Sequence, residues 1–327
     1  MSGRARVLTS VGVVAVAVVA AVLGITLLQT RGESTVPAGA VTKPRPGYPK
    51  LELDFGVRGD AQARALARAQ NLYNSGKPAA AAPIFARYGS LEAQLGSAFA
   101  AWKQGGLVAV QRLASSYPSS PLVQLHLGLA DYWAGRNADA LAAWQQTARI
   151  GADSPYGVAA QDLLHPALRI PGLPPIVANV SLPMEDAGLP AARQFSLRRR
   201  DAARRDATAK LLYGLVLWNL RRPISAERQL AAAARLAPND PLTRTAAAVG
   251  LYSKANPTRA FAQLGPLSGV FPRAAVVRLH LGLLLLWGGE RKKAASQLRL
   301  AIADEPHTVY AKEARTLLAS LVDNGTK

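Results

Sequence analysis

Prolines at 238, 272 and 306 stand 34 residues apart, and other markers keep the same step: Gly214, Ala248 and Gly282; Ala226, Ala260 and Ala294; Leu230, Leu264 and Leu298. Markers held in phase over three units require a chain of repeated supersecondary elements, each packed on its neighbours rather than around one central core. The last unit, LHLGLLLLWGGERKKAASQLRLAIADEP (279–306), reads as two short helices and a turn. Gly282 lies on the first helix and Gly289 opens the turn. Ala294 and Leu298 face inward from the second helix, and Pro306 ends the unit, since proline cannot continue a helix.

The same frame returns 154 residues earlier. Leu125-His126-Leu127-Gly128 matches Leu279-His280-Leu281-Gly282, and Trp133, Gly135, Ala140 and Trp144 fall opposite Trp287, Gly289, Ala294 and Leu298. Tyr156, Leu163 and Leu164 match Tyr310, Leu317 and Leu318, so the helix after the unit is included. Gly76, Ala81 and Phe85 keep the spacing once more, whereas 91–118 reads as helical but out of register. Between the two blocks, 165–195 carries prolines at 166, 171, 174, 175, 183 and 190, which exclude a long regular helix. It reads as an inserted loop that either packs over the solenoid or connects two sub-arrays, with a simple connector the favoured role. The final helix, near 308–322, suits a solvent-facing cap.

Gly128, Ala140 and Trp144, then Gly214, Ala226, Leu230 and Pro238, then Gly282, Ala294, Leu298 and Pro306, with Ala260, Leu264 and Pro272 between them, resemble the tetratricopeptide repeat family. The resemblance covers roughly 60–322 and is strongest in 121–164 and 206–322. It implies an all-α helical-repeat solenoid, a non-catalytic interaction scaffold, and a groove lined by the first helix of each pair that receives a peptide or protein. One subgroup grips C-terminal carboxylates with asparagines on its first helices; the matching positions here are Leu129, Leu215, Val249 and Leu283, so that mode is not expected.

Upstream of the repeats, Val7 to Leu28 is almost wholly apolar and, as a helix, would be about 33 Å long, enough to span a bilayer. Arg4 and Arg6 place residues 1–6 in the cytoplasm by the positive-inside rule and the body outside. A cleaved secretory signal is the competing reading, but the apolar run exceeds the roughly 7–15 residues of a signal core. Residues 29–59 are rich in Pro and Gly and read as a spacer, with Leu51 to Phe55 a short strand or extended chain. The organisation expected is therefore a tail at 1–6, an anchor at 7–28, the spacer at 29–59, helical blocks at 60–164 and 196–327, and the insertion at 165–195.

Chemical motifs are sparse. Cysteine is absent, so there is no thiolate nucleophile or thiolate metal site, and no catalytic, phosphate-binding or dinucleotide signature occurs. His126 and His280 share a repeat position, which marks framework residues rather than a metal pair, and no metal or cofactor is expected. The acids Glu185 and Asp186 in the insertion are the one conceivable acid–base pair, pointing to a subunit of a cell-wall enzyme as the remote alternative. The net charge is +19, and Arg193, Arg198, Arg199, Arg200, Arg204 and Arg205 cluster over 193–210. That cluster is the candidate anion-binding surface, for anionic lipid or an envelope polymer. Nucleic acid is not the expected partner, because aromatic interleaving is lacking.

Overall fold

The computed structural model describes residues 43–180, 186 and 188–323. The apolar run at 7–28 and Glu185 lie outside them. Among the described residues no helix is long and apolar enough to cross a membrane.

Every regular element among the described residues is a helix, and the chain divides into two compact units. The first, 43–164 with 189–195, holds α1 (Ala61–Asn74), α2 (Pro78–Phe85), α3 (Leu91–Ala100), α4 (Gly106–Ser116), α5 (Pro121–Trp133), α6 (Asn137–Ile150) and α7 (Pro155–Leu164). Helix α8 (Ala191–Asp201) straddles the division. The second unit, drawn from 165–188 and 196–323, holds α9 (Ala207–Asn219), α10 (Pro223–Leu236), α11 (Pro241–Val249), α12 (Thr258–Val270), α13 (Ala275–Trp287), α14 (Arg291–Asp304) and α15 (Val309–Asp323). Each unit is thus three helical hairpins followed by one capping helix.

Local sequence fixes these boundaries. Proline occupies the first turn of α2, α5, α10 and α11, where its missing N–H costs nothing. Asp60, Asp206 and Asp240 cap α1, α9 and α11 by accepting from Ala63, Ala209 and Thr243 N–H. The hairpins close on a repeated rung of a small and a large residue four apart: Ala81 and Phe85, Ala140 and Trp144, Ala226 and Leu230, Ala260 and Leu264, Ala294 and Leu298, all buried. Opposite them the first helices come so close that a Cβ on Gly128 would lie 2.4 Å from the Trp144 ring, and one on Gly282 would lie 2.8 Å from Leu298. Any side chain there would push the pair apart.

The turns carry the other signature. Gly76, Gly135 and Gly289 take φ near +80° between first and second helices, but the same position in the α9–α10 turn is Arg221, at φ 53°. The hairpin at 91–116 is out of register because a 3-10 turn, Trp102–Gln104, and Gly105 at φ 98° lie between its helices. Those extra residues shift the second helix against the frame without changing the hairpin. Within each unit the first helices stand side by side, α1, α3, α5 and α7 in one and α9, α11, α13 and α15 in the other. Each set forms a layer that faces away from the second helices.

Candidate functional site

Each layer of first helices holds an extended stretch of its own chain. In the first unit this is residues 46–54. The indole N–H of Trp133 donates to Pro46 O at 3.1 Å, and Arg45 N–H donates to Trp133 O at 2.8 Å. Further on, Tyr73 Oη donates to Pro49 O at 2.6 Å. Asn74 clasps Leu51 on both sides, accepting from its N–H at 3.1 Å and donating to its carbonyl at 2.9 Å. Leu53 N–H donates to Gln70. Glu52 N–H reaches His126 Nε2 at 3.1 Å and Asp54 N–H reaches Tyr156 Oη at 3.1 Å. The segment therefore runs along α5 from its C-terminal end toward its middle, with α1 beside it and α3 beneath. Its side chains alternate: Leu51 is 0% and Leu53 7% exposed, while Lys50 and Asp54 face solvent. An aromatic ladder, Tyr48–Tyr73–Phe99–His126, runs beneath it with ring centroids 5.2–6.1 Å apart.

The second unit does the same with residues 171–179. Trp218 donates to Pro174 O at 2.8 Å, Val177 N–H reaches His280 Nε2 at 2.9 Å, and Asn179 N–H reaches Tyr310 Oη at 3.3 Å. Lys254 Nζ donates to Leu168 O at 2.7 Å just upstream. Contacts and sequence agree on a single alignment. Pro46-Gly47-Tyr48-Pro49 matches Pro171-Gly172-Leu173-Pro174, and Glu52 and Asp54 match Val177 and Asn179. Gly47 and Gly172 both adopt left-handed φ, 83° and 76°, which turns the chain onto the layer.

The two histidines are the centre of this recognition. Their Nδ1–H donates to the carbonyl one turn back, Leu122 O at 2.7 Å and Val276 O at 2.6 Å. That fixes the tautomer, leaving Nε2 as an acceptor for the segment's main-chain N–H. Burial pushes both imidazoles below their ordinary value, His280 to about 4. Protonation would set N–H against N–H and expel the segment. These histidines are framework residues, as their shared repeat position predicts, but the framework they belong to includes the extended segment.

Other sites read from the sequence fall elsewhere. Residues 46–54, assigned by composition to the spacer, are packed chain. The stretch 171–179 is bound to first helices rather than serving as a bare connector. Arg198 leaves the candidate anion-binding cluster: it is 4% exposed and ion-paired with Asp186, with Asp201 at 3.8 Å. Its burial follows from the helix period, which turns one arginine of Arg198, Arg199 and Arg200 inward. Arg193, Arg199, Arg200, Arg204 and Arg205 are exposed, and Arg200 pairs with Asp201 at 3.2 Å. Trp144 and Trp287 are buried packing residues, whereas Trp133 and Trp218 are donors to the segments. Leu129, Val249 and Leu283 are buried and offer no clamp for a carboxylate. Among the described residues no group of His, Asp or Glu could hold a metal ion. The signal that sequence reading missed was available: Pro-Gly-x-Pro occurs before each block, at 46 and at 171.

No family model matches the chain, and no curated protein matches it. Among solved structures it is similar to YrrB, a TPR protein with an unusual peptide-binding site, at 17% identity, covering 64% of this chain and 98% of that one, with a TM-score of 0.30. A tetratricopeptide repeat protein from Parabacteroides merdae is 13% identical, with 81% and 100% covered and a TM-score of 0.32. Yeast Tom70 is 12% identical, with 81% and 54% covered and a TM-score of 0.32. The description of this chain as an array of tetratricopeptide-like hairpins rests on its own helix pairs, rungs and capping helices.

Proposed function

We propose that the protein is a non-catalytic interaction scaffold whose two layers of first helices bind extended polypeptide. The observation that carries this reading is the repeated recognition of main chain. In both units a buried histidine and a tyrosine of the capping helix take N–H groups two residues apart on an extended segment. Main-chain recognition of this kind needs no particular side-chain sequence, and each neutral hydrogen bond contributes about 0.5–1.5 kcal/mol. The chain's own segments are the resident occupants, and a partner's segment would take the place of the one in the second unit. Asp186, the described member of the acid pair, is committed to Arg198 and is not free for acid–base chemistry. The apolar run at 7–28 would hold the body at a membrane, on the outer side.

The test is crosslinking of the full-length protein in cells, with a photoreactive residue at 215 on α9. A discrete protein captured by the unaltered chain, and lost when Trp218 and Tyr310 are both replaced by phenylalanine, supports the reading. Capture that is indifferent to those changes removes it. A second reading rests on the exposed Arg199, Arg200, Arg204 and Arg205, which would attract anionic lipid. Binding of the full chain to anionic vesicles that disappears at high salt, and on replacing these four by glutamine, would favour it.

A further inference from the structure

Three contacts put the two segments in one register. Tyr73 and Trp218 donate to Pro49 and Pro174, His126 and His280 accept from Glu52 and Val177, and Tyr156 and Tyr310 accept from Asp54 and Asn179. That register sets Pro175 at the place of Lys50 and Ile176 at the place of Leu51. On the helices, the left-handed turn residues Gly76 and Arg221 and the rungs Ala81 and Ala226 fix a second alignment. It sets Asn219, the last residue of α9, at the place of Asn74, the last residue of α1.

Asn74 clasps both main-chain groups of Leu51. Asn219 clasps nothing: it is exposed, and among the described residues its carboxamide makes no hydrogen bond. The resident segment differs from the first where that clasp would close. Pro175 fixes its own φ near about −65°, whereas extended chain prefers about −120° to −140°. Ile176 stays half-buried, and Ala178 stands where Leu53 fills the first layer. Trp287, at the place of Trp133, is 2% exposed and its indole N–H has no acceptor, although Trp133 donates to Pro46 O. The second layer thus carries a clasp and an indole donor that its resident leaves unused. Only Gln70 lacks a counterpart, since Leu215 stands in its place.

We propose that Asn219 determines which segment the second layer prefers, and that this is extended partner chain bearing Pro-x-Leu, with x any residue but proline. The proposal rests on the reading of that layer as a dock for partner chain. Its pattern is Pro49-Lys50-Leu51, which presents these groups to Tyr73 and Asn74 in the first unit. The Asn219 carboxamide would accept from the leucine N–H and donate to its carbonyl. The leucine side chain would take the place that Ile176 half fills, and a carbonyl upstream would meet the Trp287 indole.

The probe is a fluorescent peptide with the sequence of residues 43–55, titrated into the full-length protein and followed by anisotropy. Saturable binding is expected, weakened at least about tenfold by Asn219→Ala and by alanine in place of the peptide's leucine at 51. Asn219 is exposed, so the melting temperature of Asn219→Ala should be that of the unaltered chain. Pro175→Lys together with Ile176→Leu gives the resident the residues of the first segment. It should close the clasp from within and abolish peptide binding. Equal binding of a peptide with the resident's sequence, 168–180, or no saturable binding at all, would overturn the proposal. Binding that survives Asn219→Ala but is lost when Trp218 and Tyr310 both become phenylalanine would overturn it alone and leave the scaffold reading standing. Binding indifferent to all three changes would remove both. Self-association of the chain without peptide, lost in Asn219→Ala, would assign the dock to a second copy and overturn the partner.

Discussion

The two units bind their segments through the same two N–H contacts, yet they do not bind them equally. In the first unit Leu51 is fully buried and clasped by Asn74, Leu53 is held by Gln70, and Trp133 donates to Pro46. In the second, Ile176 at the place of Leu51 is only half-buried, and Trp287 at the place of Trp133 keeps a buried indole N–H with no acceptor. The shared contacts are the histidine, the capping tyrosine and an aromatic donor to the matched prolines, Tyr73 to Pro49 and Trp218 to Pro174. The variable ones sit on α1 and at the end of the third hairpin's first helix, and they set how firmly the segment is held. The comparison casts the first segment as part of the core and the second as the replaceable one.

Truncation at matched positions is the most direct way to break that contrast. Leu51→Ala should cost about 3 kcal/mol and Ile176→Ala about 1 kcal/mol in denaturant unfolding of the full chain, because only the first leaves a closed cavity. Equal costs would mean the segments are equally integral.

Acidification should act nearly as strongly. The unfolded imidazole takes up a proton near pH 6.5, whereas folded His280 resists until about pH 4. Between those values the unfolded chain binds more protons, so stability is complete above about pH 6.5 and falls as the pH drops, by about 3 kcal/mol at pH 4. His126 works in the same direction. Asp131 and Glu313, both raised by burial, work the other way, since their folded forms hold protons more readily. Comparing the pH profile of the unaltered chain with that of His280→Asn isolates the histidine contribution, and overlapping profiles would refute the assignment.

A smaller effect separates the aromatic donors. Tyr73→Phe removes one hydrogen bond to Pro49 and should cost about 1 kcal/mol. It should also lower hydrogen-exchange protection at 51–54 while leaving 177–179 unchanged. The smallest expected change is a gain. Arg221 occupies, at φ 53°, the turn position that glycine holds at 135 and 289. Arg221→Gly should relieve about 1 kcal/mol of left-handed strain and raise the melting temperature slightly. A drop in melting temperature would show that the arginine side chain contributes more than the backbone strain costs.

Much of this architecture is legible in the sequence, for a physical reason. Hairpin packing demands small residues where helices cross and a large one between them, and Ala226, Leu230 and Gly282 announce that demand in letters. The hairpin at 91–116 is less readable because its 3-10 turn inserts residues into the count. The segments escaped recognition because extended chain held by its main-chain groups leaves few side-chain requirements. Only the alternation at Leu51 and Leu53 and the recurrence of Pro-Gly-x-Pro betray it, and Leu51 to Phe55 alone gave no reason to expect a dock 70–100 residues away. Arg198 is hard to place from sequence for a related reason. A run of arginines reads as one charged surface until a helix turns one member toward a distant carboxylate.

The order of the parts along the chain also sets a clock. Each segment is made before its dock, with 102 residues between Asp54 and Tyr156 and 131 between Asn179 and Tyr310. At synthesis rates of about 5–20 residues per second, each unit stands incomplete for on the order of 5–25 s. During that interval a leucine-bearing strand and the helices meant to cover it are both uncovered, and whatever meets the chain then meets it with its docks unoccupied.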